Sequence, residues 1–149
     1  MNVALVIEDA KWRGRRRIAA RLRKAAEAAL AHEGAKDAAL TLLLAGDEKL
    51  RALNRAFRGK DRPTNVLSFP AGAPDYLGDI ALAYGVTAKE AREQRTSFAD
   101  HAAHLVVHGV LHLLGYDHQT GRDARMMEPL EAKILAGLGV RDPYARDAR

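Results

Sequence analysis

Four of the chain's six histidines, His104, His108, His112 and His118, fall within segment 104–118. His108, His112 and His118 are spaced H-x3-H-x5-H. His108 and His112, four apart, share one face of an α-helix. Gly115 can take the left-handed backbone that ends a helix, so the chain can then turn His118 back toward the other two. Three imidazoles converging in this way can hold a tetrahedral zinc and leave its fourth position for water. A lone histidine on an apolar helix is ordinarily a packed, hydrogen-bonded residue, but a third one just past a helix stop favours a metal site.

The segment fits the zinc-protease pattern H-E-x-x-H-x-x-G-x-x-H at His108, His112, Gly115 and His118. Where that pattern has its glutamate base, this chain has Gly109. The ligands of a hydrolytic zinc are present and the peptidase proton acceptor is not. Three neutral imidazoles leave the metal its full positive charge, which suits an anionic substrate such as a phosphodiester. Arg58 is a candidate to neutralise charge developing on phosphate through its planar fork. His104, one turn before His108, is placed to contact substrate or support a ligand, and Asp117 to orient a ligand imidazole. His101, near the helix start, is expected to be exposed, and His32 to be a surface group at a helix end.

The elements that must position these groups follow from periodicity. Val3 to Ile7 is a strand, and Arg15 to Glu33 a helix with an apolar stripe of Ile18, Leu22, Ala25, Ala26, Ala29 and Leu30. Arg16 and Arg17, near its start, form with Arg13 and Arg15 a basic cluster able to contact RNA phosphates. Ala39 to Ala45 is a second strand, and Asp47 is read as the N-cap of the next helix. The polar loop from Arg58 to Asn65 leads to strand Val66 to Phe69, which is expected to pair antiparallel with Asp79 to Tyr84. Thr87 to Glu90 reads as a capping box opening a short helix. Ser97 to Asp100 opens the histidine helix, which runs to Leu114. Apolar residues surround that helix, so it should be central and buried. Gly121 to Ala136 is a last helix, and Gly139 to Arg149 a frayed polar tail. The expected fold is α+β: a mixed four-stranded sheet packed with about five helices in one domain spanning 1–149.

The chain has 149 residues, of which 48% are hydrophobic and 29% charged, an ordinary globular balance. It has no cysteine, which excludes disulfides and thiolate-bound metals and leaves nitrogen and oxygen ligands. No apolar run approaches the ~18 residues of a membrane span, and the N-terminus reads as a strand, not a signal peptide. A cytoplasmic protein is expected. The net charge of +5 makes nucleic acid a plausible partner.

The histidine motif, from His104 to His118, closely resembles that of the YbeY family of bacterial endoribonucleases and ribosomal RNA maturation factors. Phe57 to Pro70, Leu77-Gly78-Asp79-Ile80, and Met127-Glu128 with Glu131 are similar to the same family, so the resemblance runs from about Asp47 to Leu135. It implies that His108, His112 and His118 bind one zinc per chain and that Arg58 acts on the phosphate. It further implies cleavage of single-stranded RNA, maturation of the 3′ end of small-subunit (16S) ribosomal RNA and ribosome quality control, with precursor rRNA and the ribosome or its small subunit as partners. Whether water or the RNA 2′-OH attacks is open. Two other readings stand beside it: a metallopeptidase or other zinc hydrolase, and a non-catalytic ribosome assembly factor with a structural metal.

Overall fold

The computed structural model describes residues 2–116 and 121–145. Its elements are β1 (Asn2–Ile7), a 3-10 turn (Ala10–Gly14), α1 (Ile18–His32), β2 (Ala39–Ala45), α2 (Asp47–Arg58), β3 (Val66–Pro70), β4 (Tyr76–Ala83), α3 (Tyr84–Glu93), α4 (Phe98–Leu113) and α5 (Gly121–Gly137). The strands form one mixed sheet ordered β1-β2-β4-β3. β2 is parallel to both β1 and β4, and β3 closes one edge antiparallel to β4. The α+β arrangement expected from periodicity is therefore present.

Strand alternation divides the core in two. Leu40, Leu42, Leu44, Ile80 and Leu82 point to the face covered by α1 and α4. Leu43, Ala45, Leu67, Phe69, Ala81 and Ala83 point to the other face, where Leu50 and Leu53 of α2 cover them. α4 carries eleven buried residues, because it packs against the sheet, α1, α3 and α5 together. Gly109 is what allows its close approach to the sheet. A Cβ there would meet Ile80 Cγ2 at 2.8 Å and Ser68 Oγ at 3.2 Å.

Both ends of α4 form as expected. Ser97 Oγ accepts the Asp100 N–H at 3.1 Å. At the C-terminus Gly115 takes φ +104°, Gly115 N–H donates to His112 O and Tyr116 N–H to Leu111 O, a Schellman stop.

Several boundaries differ from expectation. α1 starts at Ile18, because Arg17 is left-handed (φ 58°) and Arg15 is extended. Arg15 is instead held against the α3–α4 corner, its guanidinium 4.1 Å from the Phe98 ring and its Nε donating to Tyr84 Oη at 2.8 Å. Asp47 is the first residue of α2, not its cap, and accepts the Val86 N–H at 3.0 Å. Thr87 lies inside α3, which starts directly at the end of β4, and its hydroxyl donates to Ala83 O at 2.6 Å. β4 begins at Tyr76, earlier than Asp79. The tail expected to fray from Gly139 packs at least in part: Val140 is buried and the Tyr144 hydroxyl donates to Glu131.

Candidate metal centre

α4 presents His104, His108 and His112 along one side, with successive ring centroids 6.4 and 4.6 Å apart. Opposite them α5 places Glu131 on its apolar stripe with Met127, Ile134 and Leu135. Glu131 is fully buried. Its Oε2 lies 2.6 Å from His108 Nδ1 and its Oε1 3.0 Å from His104 Nε2. Tyr144 Oη also donates to Oε1 and stands 3.1 Å from His104 Nε2. Burial by itself would raise the Glu131 pKa. Hydrogen bonds from His104 and His108, the charge of His108 and the Tyr144 hydroxyl outweigh burial and hold it at about 2. Tyr144 is shifted upward, first by burial and then by Glu131.

Beside an ionised Glu131, a neutral His108 carries its proton on Nδ1 and keeps the lone pair on Nε2. That Nε2 lies 3.1 Å from His112 Nε2. Two nitrogens bound at about 2.0–2.1 Å to one tetrahedral zinc would lie about 3.3 Å apart. The pair therefore fits two ligands of one metal, and a carboxylate on the far nitrogen is the usual support for a metal-binding imidazole. Among the described residues no group of three candidate ligands is assembled. The expected third ligand, His118, and the expected supporting carboxylate, Asp117, lie outside them.

A family model described as Endoribonuclease YbeY matches residues 6–139. The chain belongs to the YbeY family. An Endoribonuclease YbeY of Rhodopseudomonas palustris is 46% identical over 160 residues, covering 97% of this chain and 82% of the relative. Those of Maricaulis maris and Novosphingobium aromaticivorans are 45% and 49% identical, covering 97% and 82% of this chain and 92% and 83% of the relatives. The fold is shared with the solution structure of TM1509 from Thermotoga maritima, with TM-score 0.63 and 24% identity over 98% of this chain and 97% of that one.

The other expected site residues lie on other elements. Arg58 is exposed in the last turn of α2, next in sequence to Phe57, whose ring meets Phe69 of edge strand β3. Arg16 and Arg17 are exposed before α1. α1 runs alongside α4, joined to it by Arg21–Asp100 at 2.7 Å near their starts and Tyr116–Glu33 at 2.7 Å near their ends. Asp100 and His112 are separated by ~18 Å of helix, so the arginine cluster lies at the end away from the histidine pair. His104 directs Nε2 at Glu131 and Tyr144, which makes it a support of the carboxylate. Glu131 had no role assigned from sequence, although a carboxylate in the apolar spacing Met127, Leu130, Ile134, Leu135 is a legible signal of a buried partner.

His101 is buried, at 4% exposure, not exposed as expected. Its Nε2 lies 2.8 Å from Glu90 Oε1, and Glu90 also accepts from Asn65. Burial lowers the His101 pKa below its ordinary 6.5, against the pull of Glu90 and with a further lowering by His104. Below that value the unfolded chain binds more protons here than the folded one. The His101 contribution to stability is therefore complete above pH 6.5 and lost as pH falls below it. Urea melts should show this acid-side loss, and His101→Gln should reduce its slope; an identical pH profile in the variant would contradict the assignment.

Proposed function

We propose that this chain is a zinc-dependent endoribonuclease of single-stranded RNA that matures the 3′ end of small-subunit ribosomal RNA, in the cytoplasm and in contact with the ribosome. Membership of the Endoribonuclease YbeY family supports the activity. The observation that carries the metal reading is the facing Nε2 pair of His108 and His112, 3.1 Å apart, with Glu131 behind His108. His108, His112 and His118 would hold the zinc. When bound, it supplies Lewis acidity toward a phosphodiester oxygen and toward water. Glu131 holds the His108 proton on Nδ1 and fixes the ring. Arg58, exposed and without an ion pair among the described residues, offers its guanidinium to the RNA phosphate.

The metallopeptidase reading is opposed by packing as well as chemistry. The position of a peptidase's glutamate is Gly109, pressed against Ile80 and Ser68, with no room for a side chain. Among the described residues no helix is long and apolar enough to cross a membrane.

The zinc-loaded protein should cut single-stranded RNA and leave peptides intact. Arg58→Ala should lower the cleavage rate about tenfold, the worth of one charge-assisted hydrogen bond, with zinc content unchanged. Peptide cleavage without RNA cleavage would reject this function, and an unchanged rate in Arg58→Ala would remove that residue from it.

A further inference from the structure

On the sheet face opposite the histidines, α2 leaves the sheet partly uncovered. Leu43, Leu53, Phe69 and Ala81 line a groove of about 470 Å³. Phe57 stands at its edge with 68% of its surface exposed, more than any other large apolar residue among the described ones. Its ring meets Phe69 edge-to-face, centroids 5.2 Å apart at 64°. Phe57 is thus held by one neighbour while most of its surface faces solvent. Covering the rest of the ring removes apolar surface from water, so a ligand that does so is favoured.

The charge around the ring selects the ligand. Arg58 follows Phe57 at the end of α2, Arg55 lies earlier on the same helix, and Lys60 and Arg62 follow in the next loop, all exposed. The nearby Asp61 is already paired with Arg51 at 2.9 Å. Arg55 also feels the Asp61 charge, while Arg58, Lys60 and Arg62 are in no ion pair among the described residues. The acid within the groove, Asp79, accepts from the Tyr76 hydroxyl. An open aromatic face beside the exposed cations Arg58, Lys60 and Arg62, with Asp79 as the one acid among the described residues lining the groove, suits a base that stacks and a phosphate that pairs.

Edge strand β3 links this groove to the metal helix. Consecutive residues of a strand point to opposite faces. Ser68 turns toward α4 and donates to Gly109 O at 3.2 Å, beside His108. Phe69, the next residue, turns toward the groove. The groove and the histidine helix therefore lie back to back across one exposed strand, and Arg58 belongs to the helix end beside it.

We propose that the Phe57–Phe69 groove is a base-stacking subsite for single-stranded RNA, which passes over the β3 edge between this groove and the metal centre. The proposal rests on the endoribonuclease reading.

The test uses the zinc-loaded full chain and a fluorescently labelled single-stranded RNA of about 15 nucleotides. Phe57→Ala should weaken binding about tenfold, within the range for losing one stacked base. Phe57→Trp should restore binding and Phe57→Leu should not. Cleavage should show a raised KM with kcat unchanged, and a dinucleotide too short to reach the groove should be cut equally by all forms. Circular dichroism should be unchanged, since Phe57 is exposed. RNA affinity unchanged in Phe57→Ala, or restored as well by leucine as by tryptophan, would overturn the stacking site. Unchanged RNA affinity with altered sedimentation of the protein alone would assign the groove to a second copy. A wild-type protein that neither binds nor cuts RNA would remove the endoribonuclease reading itself.

Discussion

Replacing His112 with alanine should reduce RNA cleavage by more than about 100-fold and remove the bound zinc, while the protein stays folded. Loss of a supporting residue behind a metal ligand ordinarily costs 10–100-fold, and loss of a ligand must exceed that. His112 is partly exposed, whereas Val110, Leu111 and Leu113 around it are buried and keep α4 in place. The imidazole can therefore be removed without opening the core. Metal content by elemental analysis, cleavage of single-stranded RNA, and helix content by circular dichroism separate these effects. A folded His112→Ala protein that still supports full ribosomal RNA maturation in cells would favour an assembly factor with a structural metal.

Replacing Glu131 should have the next largest effect, on both metal binding and stability. Its carboxylate is fully buried and accepts from His104, His108 and Tyr144. Glu131→Ala leaves three donors facing a cavity, and removing one partner of a buried ionic cluster costs about 3–5 kcal/mol. Glu131→Gln keeps the shape but removes the charge that fixes the His108 tautomer, and zinc affinity should fall 10–100-fold. The pH dependence follows from the carboxyl's position at about 2 in the folded protein against an ordinary 4.5. A carboxylate with a depressed folded pKa contributes stability that is complete above the unfolded value and is lost as pH falls through the folded one. The loss should run from about pH 4.5 toward pH 2 and amount to something on the order of 3 kcal/mol. Urea melts across that range check it: the glutamine variant should lack this part of the acid limb. An equal acid limb and equal zinc affinity in Glu131→Gln would show that the carboxylate does not position His108.

Much of this arrangement was legible in the residues because it depends on local periodicity. The apolar circumference of α4, its Ser97 cap and its Gly115 stop all act within one helix, and each was read correctly. What escaped depends on distant contacts. Asp47 has the chemistry of an N-cap, yet its carboxylate serves a backbone N–H at the start of α3. Thr87 and Glu90 have capping-box spacing, but Glu90 is engaged by His101 and Asn65. His101 was expected at the surface because it lies near a helix start; α3 packs over it and supplies its carboxylate. Glu131 illustrates the same limit at the site. Its place in an apolar stripe marks it as unusual, but its partners lie 23 and 27 residues away on another helix. Where the arginines lie is likewise a matter of tertiary packing: Arg58 ends α2 next to Phe57, whose ring meets Phe69 of β3, while Arg16 and Arg17 sit at the start of the α1–α4 pair, away from His112.

We propose His108 and His112 as two ligands of one catalytic zinc. Elemental analysis of the purified full chain, done on the same samples used for cleavage of single-stranded RNA, tests it most directly. One zinc per chain in the wild type, loss of zinc and cleavage together in His112→Ala, and recovery of wild-type cleavage when zinc is returned to the stripped wild type is the predicted result. Full cleavage by wild-type protein stripped of metal, or zinc retained at one per chain in a His108→Ala, His112→Ala double variant, would contradict it.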